Sequence, residues 1–556
     1  MNTTADLIVT NGRLLTMEPG HTEPVEAVAV ADGRILALGS RSAIAAYRTA
    51  STKVIDAQGG SVLPGFTESH IHIFSGAAEL GHLSLSGVSG LGALTAAVSA
   101  FAASRKGEPL LIAQGGDYTI LGRQETVDRK VLDAIIPDRP FLMFSPDHHT
   151  AWANSPALEH AGIERGREMP AGHEIVMGAD GRASGELRES EAFNPIIALN
   201  GAGVRARLGL ATGGEPENLT PDERAHDLDM MKRGLAHCAR HGITSFQNMD
   251  GNFYQLELLD ALQRSGELTC RGRIPFHFVP AMTIDMLERA SEMNRRYHSD
   301  WLNSGTVKLF MDGVLDSWTA VMDEDYVDRP GWRGEPRFDA ERFNAIAIEA
   351  DRRGLQIAVH SIGDGAVHRV LNGYEAARRA NGPRDSRHRV EHIEVVRWDD
   401  IPRFRALGVV ASMQPPHPPG QMGLPLEPTV TRIGQANWAR AYAWNAFREA
   451  GVRLVFSSDW PISPINPIAS IQAAMTRKMW APDLPDNRQT LRQAVSAYTR
   501  DSAYVEFAED RKGRLAPGLL ADIVVLGGDL ESKPVEGLHE IRPAVTICGG
   551  KVTYEA

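Results

Sequence analysis

The sequence predicts an α/β fold, a (β/α)8 barrel of the TIM type that carries a small β-sandwich domain and an inserted subdomain. Three observations predict it. Short apolar strands alternate with helical stretches through the middle of the chain, both chain ends carry β-rich runs broken by turns, and one interval between strands is too long for a loop.

The middle of the chain supplies the predicted barrel, assigned to residues 61–512. Strands separated by helical stretches are typical of parallel pairing with helical crossovers, and eight of them indicate a closed barrel. The eight core strands are predicted at 61–66, 243–248, 274–279, 306–311, 356–360, 388–392, 409–413 and 453–458.

Both chain ends are rich in residues that favour β-strands. Strand-like runs lie at 6–10, 25–30, 34–38 and 53–56, and again at 521–529 and 543–556. Neither end alone offers enough strands for a stable sheet, so we predict that residues 1–60 and 513–556 form one composite β-domain. The alternative is that each end packs on the barrel separately, which would leave more strand edges unpaired.

The long interval covers about 76–235, between the first and second barrel strands. It contains β-like runs of its own at 110–114 and 140–145. Its length predicts an inserted subdomain after the first barrel strand, covering one side of the barrel mouth.

Bulk composition narrows the classes of partner. Hydrophobic residues make up 43% of the chain and charged residues 23%, which is an ordinary globular balance. The net charge of -12 argues against nucleic acid and anionic membranes as partners, and leaves a small-molecule substrate as the expectation. Three dispersed cysteines, no recognisable signal peptide and no apolar stretch of membrane-spanning length favour a cytoplasmic protein. A homodimer is left open.

The strongest local signal is the run from Gly65 to His72, which reads GFTESHIH. In an extended strand, side chains at i and i+2 point to the same face, so His70 and His72 project together, as a metal site requires. A lone HxH is a weak signal, because solvent-exposed or packing histidines can produce it.

Other polar residues sit at the ends of predicted barrel strands, where enzymes of this fold place their chemistry. His360 ends QIAVH, His392 ends HRVEH and Asp459 follows RLVFSS. Lys308 lies within TVKLF, with the Asp312-Gly313 turn just after it. Polar residues at five strand ends of one barrel are hard to explain by packing alone.

These motifs resemble those of the amidohydrolase superfamily. The runs GFTESHIH, VKLFMDG, VHSIGDGA, RVEHIE and SSDWPI are similar to the amidohydrolase 3 branch, the YtcJ-like proteins that include N-substituted formamide deformylase. HHTAWANSPAL at 148–158 and GRLAPGLLADIVVL at 513–526 resemble the same branch, so the likeness covers nearly the whole chain. Such motifs are specific to the branch but do not identify a substrate.

The resemblance implies a divalent metal centre, most simply with zinc, although manganese, iron or cobalt suits the same ligands. It implies two ions, bridged by a carboxylated Lys308; an unmodified lysine beside a single ion is the alternative. The implied ligands are His70, His72 and Asp459 for the more buried ion and His360 and His392 for the more exposed one, with Lys308 between them.

The implied activity is hydrolysis of a C–N bond in an amide-like small molecule. Asp459 would accept the proton of the attacking water and pass it to the leaving nitrogen. Hydrolysis of an ester, carbamate or cyclic amide on the same site is the nearest alternative, and a catalytically dead scaffold is the alternative from another class.

Several residues are candidates for contact with substrate. His149 matches a histidine of the branch, and Asp312 is the next candidate base if Asp459 is not the base. The stretch DGVLDSWTA carries Asp316 and Trp318 where the branch pattern has glycine and arginine, so either Trp318 reshapes the pocket or the loop faces outward. His417, in a proline-rich mouth loop, is a further candidate contact. Glu68 replaces the usual aspartate behind the histidines.

Overall fold

A computed structural model of the chain describes residues 4–20, 25–122, 125–146, 148–170, 172–199, 215–216 and 219–556. The other positions, including 1–3 and 21–24 of the predicted end domain and 200–214 of the predicted insertion, lie outside the described residues.

Two parallel sheets occupy the middle of the chain and carry the site, which confirms the α/β class. One sheet has the strand order Leu302–Asn303, Arg271–Arg273, Ile243–Asn248 and Phe66–Ile71. The other has the order Phe276–His277, Thr306–Phe310, Gln356–Ser361, Arg389–His392, Val410–Met413 and Leu454–Phe456.

Backbone hydrogen bonds join the two parallel sheets at both edges. The Asp459 N–H donates to the His70 carbonyl at 3.0 Å, and the His72 N–H donates to the Trp460 carbonyl at 2.8 Å. At the other edge of the sheet that begins with Phe276–His277, the His277 N–H donates at 3.2 Å to the carbonyl of Gly251, which follows the inner strand Ile243–Asn248. Residues that follow the last strand are thereby fixed beside the histidines of the first.

The predicted first strand, 61–66, is wrong in its extent. Ser61–Pro64 belongs to a sheet of the chain ends, and the first parallel strand is Phe66–Ile71. The chain changes sheets at Gly65, where a Cβ would overlap the Thr244 side chain. The predicted strand 274–279 is also broken, because Pro275 cannot donate a ladder hydrogen bond between Arg271–Arg273 and Phe276–His277.

Helices alternate with these strands. Pro221–Arg240, which leads into Ile243–Asn248, begins with a capping box between Thr220 and Glu223 and packs on Ile73–Glu79. No helix within the described ranges combines the length and apolar character needed to cross a bilayer. The α-helices are Arg41–Ala45, Ile73–Glu79, Leu91–Ser104, Arg129–Ile135, Ser155–His160, Ser190–Ile197, Pro221–Arg240, Phe253–Ser265, Leu287–Arg296, Ala340–Arg352, Asp364–Asn381, Ile401–Leu407, Thr429–Ile433, Trp444–Glu449, Pro467–Thr476, Leu491–Ala497 and Arg500–Val505.

Strands from both chain ends meet in two further sheets. The four-stranded sheet has the order Arg34–Gly39, Ala27–Ala31, Leu7–Thr10 and Lys53–Asp56. The five-stranded sheet has the order Arg13–Leu14, Ser61–Pro64, Ile523–Leu526, Pro543–Cys548 and Lys551–Glu555. Val9, Val28, Val62 and Val525 lie in one buried cluster that spans both sheets, so the ends of the chain share a core.

The long interval folds around a six-stranded sheet. Its strand order is Glu174–Met177, Ala183–Arg188, Thr150–Ala153, Phe141–Phe144, Leu111–Gln114 and Leu83–Ser84. The predicted runs 110–114 and 140–145 coincide with two of these strands. The predicted boundary near 235 falls inside Pro221–Arg240, a helix that packs against the parallel sheets rather than on the six-stranded sheet.

Candidate metal centre

Asp459 lies at the centre of a group of buried histidines. Its Oδ1 is 3.3 Å from the Nε2 atoms of both His70 and His72. Its Oδ2 is 3.8 Å from His392 Nδ1 and 3.9 Å from His417 Nε2. These residues form two sets of potential metal ligands that share the aspartate.

The side of His70 and of His72 that faces away from Asp459 is held by a buried carboxylate. His70 Nδ1 lies 2.7 Å from Glu391, and His72 Nδ1 lies 2.9 Å from Asp250. His392 differs, because its Nδ1, the nitrogen nearest to Asp459, also lies 2.9 Å from Gln414. Such partners fix the ring orientation and raise the basicity of histidine ligands. Sequence reasoning missed Asp250 and Gln414, which also follow parallel strands and could have been found there.

The electrostatics of the group favour a cation. Burial alone lowers the pKa of His72, but the neighbouring carboxylates of Asp250 and Asp459 outweigh it and raise the pKa to about 9. Burial holds the pKa of His70 well below its usual value. His70 Nε2 and Asp459 Oδ1 are buried and have no hydrogen-bond partner among the described residues. A divalent cation would satisfy both atoms at once.

Lys308 lies in the buried part of the same centre. Its Nζ has no hydrogen-bond partner within the described part of the chain and lies 4.4 Å from the centroid of the Phe310 ring. Burial lowers its pKa from 10.5 to about 8. Carbon dioxide reacts with the neutral form of an amine to give a carbamate, and the lowered pKa makes that form more abundant.

His360 is close to the centre but does not join either set of ligands. Its ring centroid is 4.5 Å from that of His392, while its Nε2 donates to the Gly313 carbonyl at 3.0 Å. His417 completes the second set instead. Of the predicted ligands, the structure brings His70, His72, His392 and Asp459 together and leaves His360 outside both sets. The second set includes His417, which the sequence analysis gave only as a candidate contact.

Asp312 anchors the backbone beside the site. Its carboxylate accepts N–H groups from Val321, Ile362 and Gly363 at 2.9 to 3.0 Å. It does not line the cavity, and its Oδ1 is 3.7 Å from His360 Nε2. This arrangement holds the loops after two strands together, which differs from the predicted contact with substrate.

Of the two alternatives that the sequence left open for Trp318, the structure does not support the one in which it reshapes the pocket. It does not line the cavity, and its indole N–H donates to Asp328 at 2.9 Å. The Arg432 guanidinium stacks 3.6 Å from the ring centroid. Trp318 itself has a left-handed φ of 58°.

Glu68 links the first and last parallel strands rather than supporting the histidines directly. Its Oε2 accepts the Ser458 N–H at 2.8 Å. Burial raises its pKa to about 8. Glu68, which stands in place of the usual aspartate, therefore affects the contact between the first and last parallel strands.

A cavity of about 630 Å³ opens over the metal centre. Its walls come from the inserted subdomain, including Phe144 and Phe193, and from the parallel strands and the loops after them, including Phe278 and Phe310. His149 lines the cavity as anticipated, with its ring centroid 5.8 Å from that of His360. The volume and the mixture of apolar and polar walls suit a small molecule.

Comparisons with known proteins agree with this geometry. The profile of the amidohydrolase family matches residues 53–554. The protein LONG AFTER FAR-RED 3 of Arabidopsis thaliana is 29% identical over 99% of this chain and 92% of its own length. The putative amidohydrolase YtcJ of Bacillus subtilis is 27% identical, covering 95% of this chain and 96% of that protein.

Two further relatives cover almost the whole chain. The N-substituted formamide deformylase of Arthrobacter pascens is 23% identical over 99% of this chain and 98% of its own. A crystal structure of an uncharacterised metal-dependent hydrolase from Pyrococcus furiosus is 27% identical, with a TM-score of 0.67, and covers 93% of this chain and 98% of that one.

Proposed function

The chain belongs to the amidohydrolase family, and from that premise we propose that it cleaves a C–N bond of an amide-like small molecule. The family match and the metal-dependent hydrolase among its structural neighbours make it a metal-dependent hydrolase. The proposal of C–N bond cleavage rests on the position of Asp459. Its two carboxylate oxygens face two sets of histidines beneath one cavity.

The donor set fits divalent metal, with zinc the most suitable ion for imidazole and carboxylate ligands. We propose that His70, His72 and Asp459 hold one ion, and that His392 and His417 help to hold a second. His360 would join the second ion after a rotation away from Gly313, and a carboxylated Lys308 would bridge the two. A bound metal lowers the pKa of water and polarises the substrate carbonyl.

The chain's own residues supply the proton transfers. The neighbouring His70 and His72 outweigh burial and hold the pKa of Asp459 well below its usual value, so its carboxylate is ionised and able to take a proton. In the proposed reaction Asp459 accepts the proton of the attacking water and donates it to the leaving nitrogen. Glu391 and Asp250 keep the two histidine rings in place during the transfer.

We also interpret the two parallel sheets as one closed (β/α)8 barrel, with the end sheets as a β-sandwich. The hydrogen bonds at both sheet edges support this, as does the position of the histidines and Asp459 at the carboxyl ends of their strands.

Screening the zinc-loaded enzyme against formamides, acyl amides, carbamates, esters and lactones tests the function. We expect turnover of N-substituted amides that is lost on chelation and returns on addition of metal. Turnover confined to esters or lactones would replace the proposal with the alternative on the same site. Full activity in protein shown by elemental analysis to be metal-free would overturn it.

A further inference from the structure

Arg389 is a completely buried arginine in the interior of the parallel sheets, at the start of the strand Arg389–His392. Its guanidinium donates to the Ser69 carbonyl at 2.7 Å, to the Ser412 hydroxyl at 3.0 Å and to the side-chain oxygen of Gln247. These three partners lie on three other parallel strands, two of them in the other sheet. One side chain therefore joins four strands of the two sheets.

Glu391 connects Arg389 to the candidate metal centre. Nε of Arg389 donates to Glu391 Oε1 at 2.7 Å, and Nη2 donates to Oε2 at 3.0 Å. A guanidinium that holds both oxygens fixes the plane of a carboxylate as well as its position. Oε2 of the same carboxylate lies 2.7 Å from His70 Nδ1. Both members of the pair are buried, so loss of Arg389 would leave Glu391 without its compensating charge.

The opposite edge of the His70 ring faces Asp459. His70 Nε2 is 3.3 Å from Asp459 Oδ1, and neither atom has a hydrogen-bond partner among the described residues. Because the imidazole is rigid, a contact that fixes Nδ1 also fixes the direction in which Nε2 points. Partners behind a histidine ligand typically change metal affinity by about 10- to 100-fold.

We propose that Arg389 is a positioning residue for the metal centre, which holds Glu391 so that His70 Nε2 points at the bound ion. The proposal rests on the ligand role proposed for His70. Arg389 does not line the cavity, so it acts on the ion only through its neighbours. Its bond to the Ser69 carbonyl also holds the backbone directly before His70.

The zinc affinity of metal-free protein, measured by competition with a chromophoric chelator, tests the proposal. We expect Arg389→Met to weaken zinc binding by about 10- to 100-fold. Arg389→Lys keeps the charge but loses the planar fork, so it should weaken binding by a smaller factor. Glu391→Gln should weaken binding as well, and either Arg389 variant added to it should cause no more than about two-fold further loss, because Arg389 acts through Glu391.

Arg271→Met is the matched control. Arg271 also lies on a parallel strand, and its buried guanidinium holds both oxygens of Asp522 at 2.7 and 2.9 Å. Asp522 directly precedes the end-sheet strand Ile523–Leu526, so this pair supports the contact with the end domain. We expect Arg271→Met to lower the midpoint of thermal unfolding and to leave zinc affinity within about two-fold of the unsubstituted protein.

A zinc affinity that neither Arg389→Met nor Arg389→Lys changes would overturn the proposal. Equal losses of affinity in Arg389→Met and Arg271→Met would also overturn it, because general destabilisation would then explain both. If Arg389→Met is insoluble, an unchanged affinity in Arg389→Lys is equally decisive. The measurement needs no substrate, so zinc binding without turnover of any amide would remove only the proposed function, whereas a protein that binds no zinc would overturn both.

Discussion

At the scale of single residues, substitution of Asp459 tests the proposed mechanism. We expect Asp459→Asn to keep the fold and to lower kcat by at least about 100-fold, because an amide cannot accept the proton of the attacking water. Metal content must be measured on the same sample, since the substitution also changes a ligand. Glu335→Gln, at an exposed carboxylate on the cavity edge, is the control and should stay within two-fold. Normal metal content with near-normal kcat would show that Asp459 is not the base.

Lys308 gives a prediction that depends on pH. Burial lowers its pKa to about 8, so the neutral amine increases as the pH rises through that value. Its fraction grows from about a tenth at pH 7 to about nine tenths at pH 9. At one fixed concentration of dissolved ¹³C-labelled carbon dioxide, we expect metal-free protein to form the carbamate about 10-fold faster at pH 9 than at pH 7, because only the neutral amine attacks carbon dioxide. A carbamate signal that persists in Lys308→Met would assign the reaction to another amine.

Much of the candidate metal centre could be predicted from sequence, because several of its residues lie at or just beyond the ends of strands. His70, His392 and Asp459 lie there, and parallel strands bring their carboxyl ends to one edge. The contacts of Glu189 with Thr319 and Arg337 could not be predicted, since these residues are more than a hundred positions away. The direction of Trp318 could not be predicted either, because its ring stacks on Arg432, which is also distant in sequence.

At the scale of elements, Gly313 controls how the loop after Thr306–Phe310 meets the inserted sheet. A Cβ at this position would overlap the Thr319 hydroxyl and the Glu189 carboxylate. We expect Gly313→Ala to cost about 1–3 kcal/mol of stability by overpacking and to lower kcat/KM as well. Gly92→Ala is the control, because a Cβ there meets nothing within 4 Å. Equal stability and activity in both variants would contradict the prediction.

Sequence patterns predicted strands better than the sheets to which they belong. The apolar run 61–66 was correctly seen as extended, yet Ser61–Pro64 pairs with Arg13–Leu14 and Ile523–Val525. Periodicity reports only that a segment is buried and extended, and the change of sheet depends on the close approach of Gly65 to Thr244.

At the scale of the whole molecule, the shared core of the chain ends predicts the effect of truncation. Deleting residues 1–60 removes the four-stranded sheet and uncovers Val62, Val525 and Ile547, which are buried against it. We expect an insoluble product, because an apolar sheet face and open strand edges would be exposed. A soluble and active truncated enzyme, judged by gel filtration and turnover, would show that the ends fold independently.

The passage from Ser61–Pro64 into Phe66–Ile71 leaves one residue between a strand of the end sheet and the strand that carries His70. Because side chains alternate along a strand, inserting a single residue after Gly65 would turn His70 toward the opposite face while the end sheet stayed in register. The end domain is therefore no exchangeable module. Anyone who grafts it onto another member of the family, or cuts and rejoins the chain here, must keep the count of residues from Val62 to His70 unchanged.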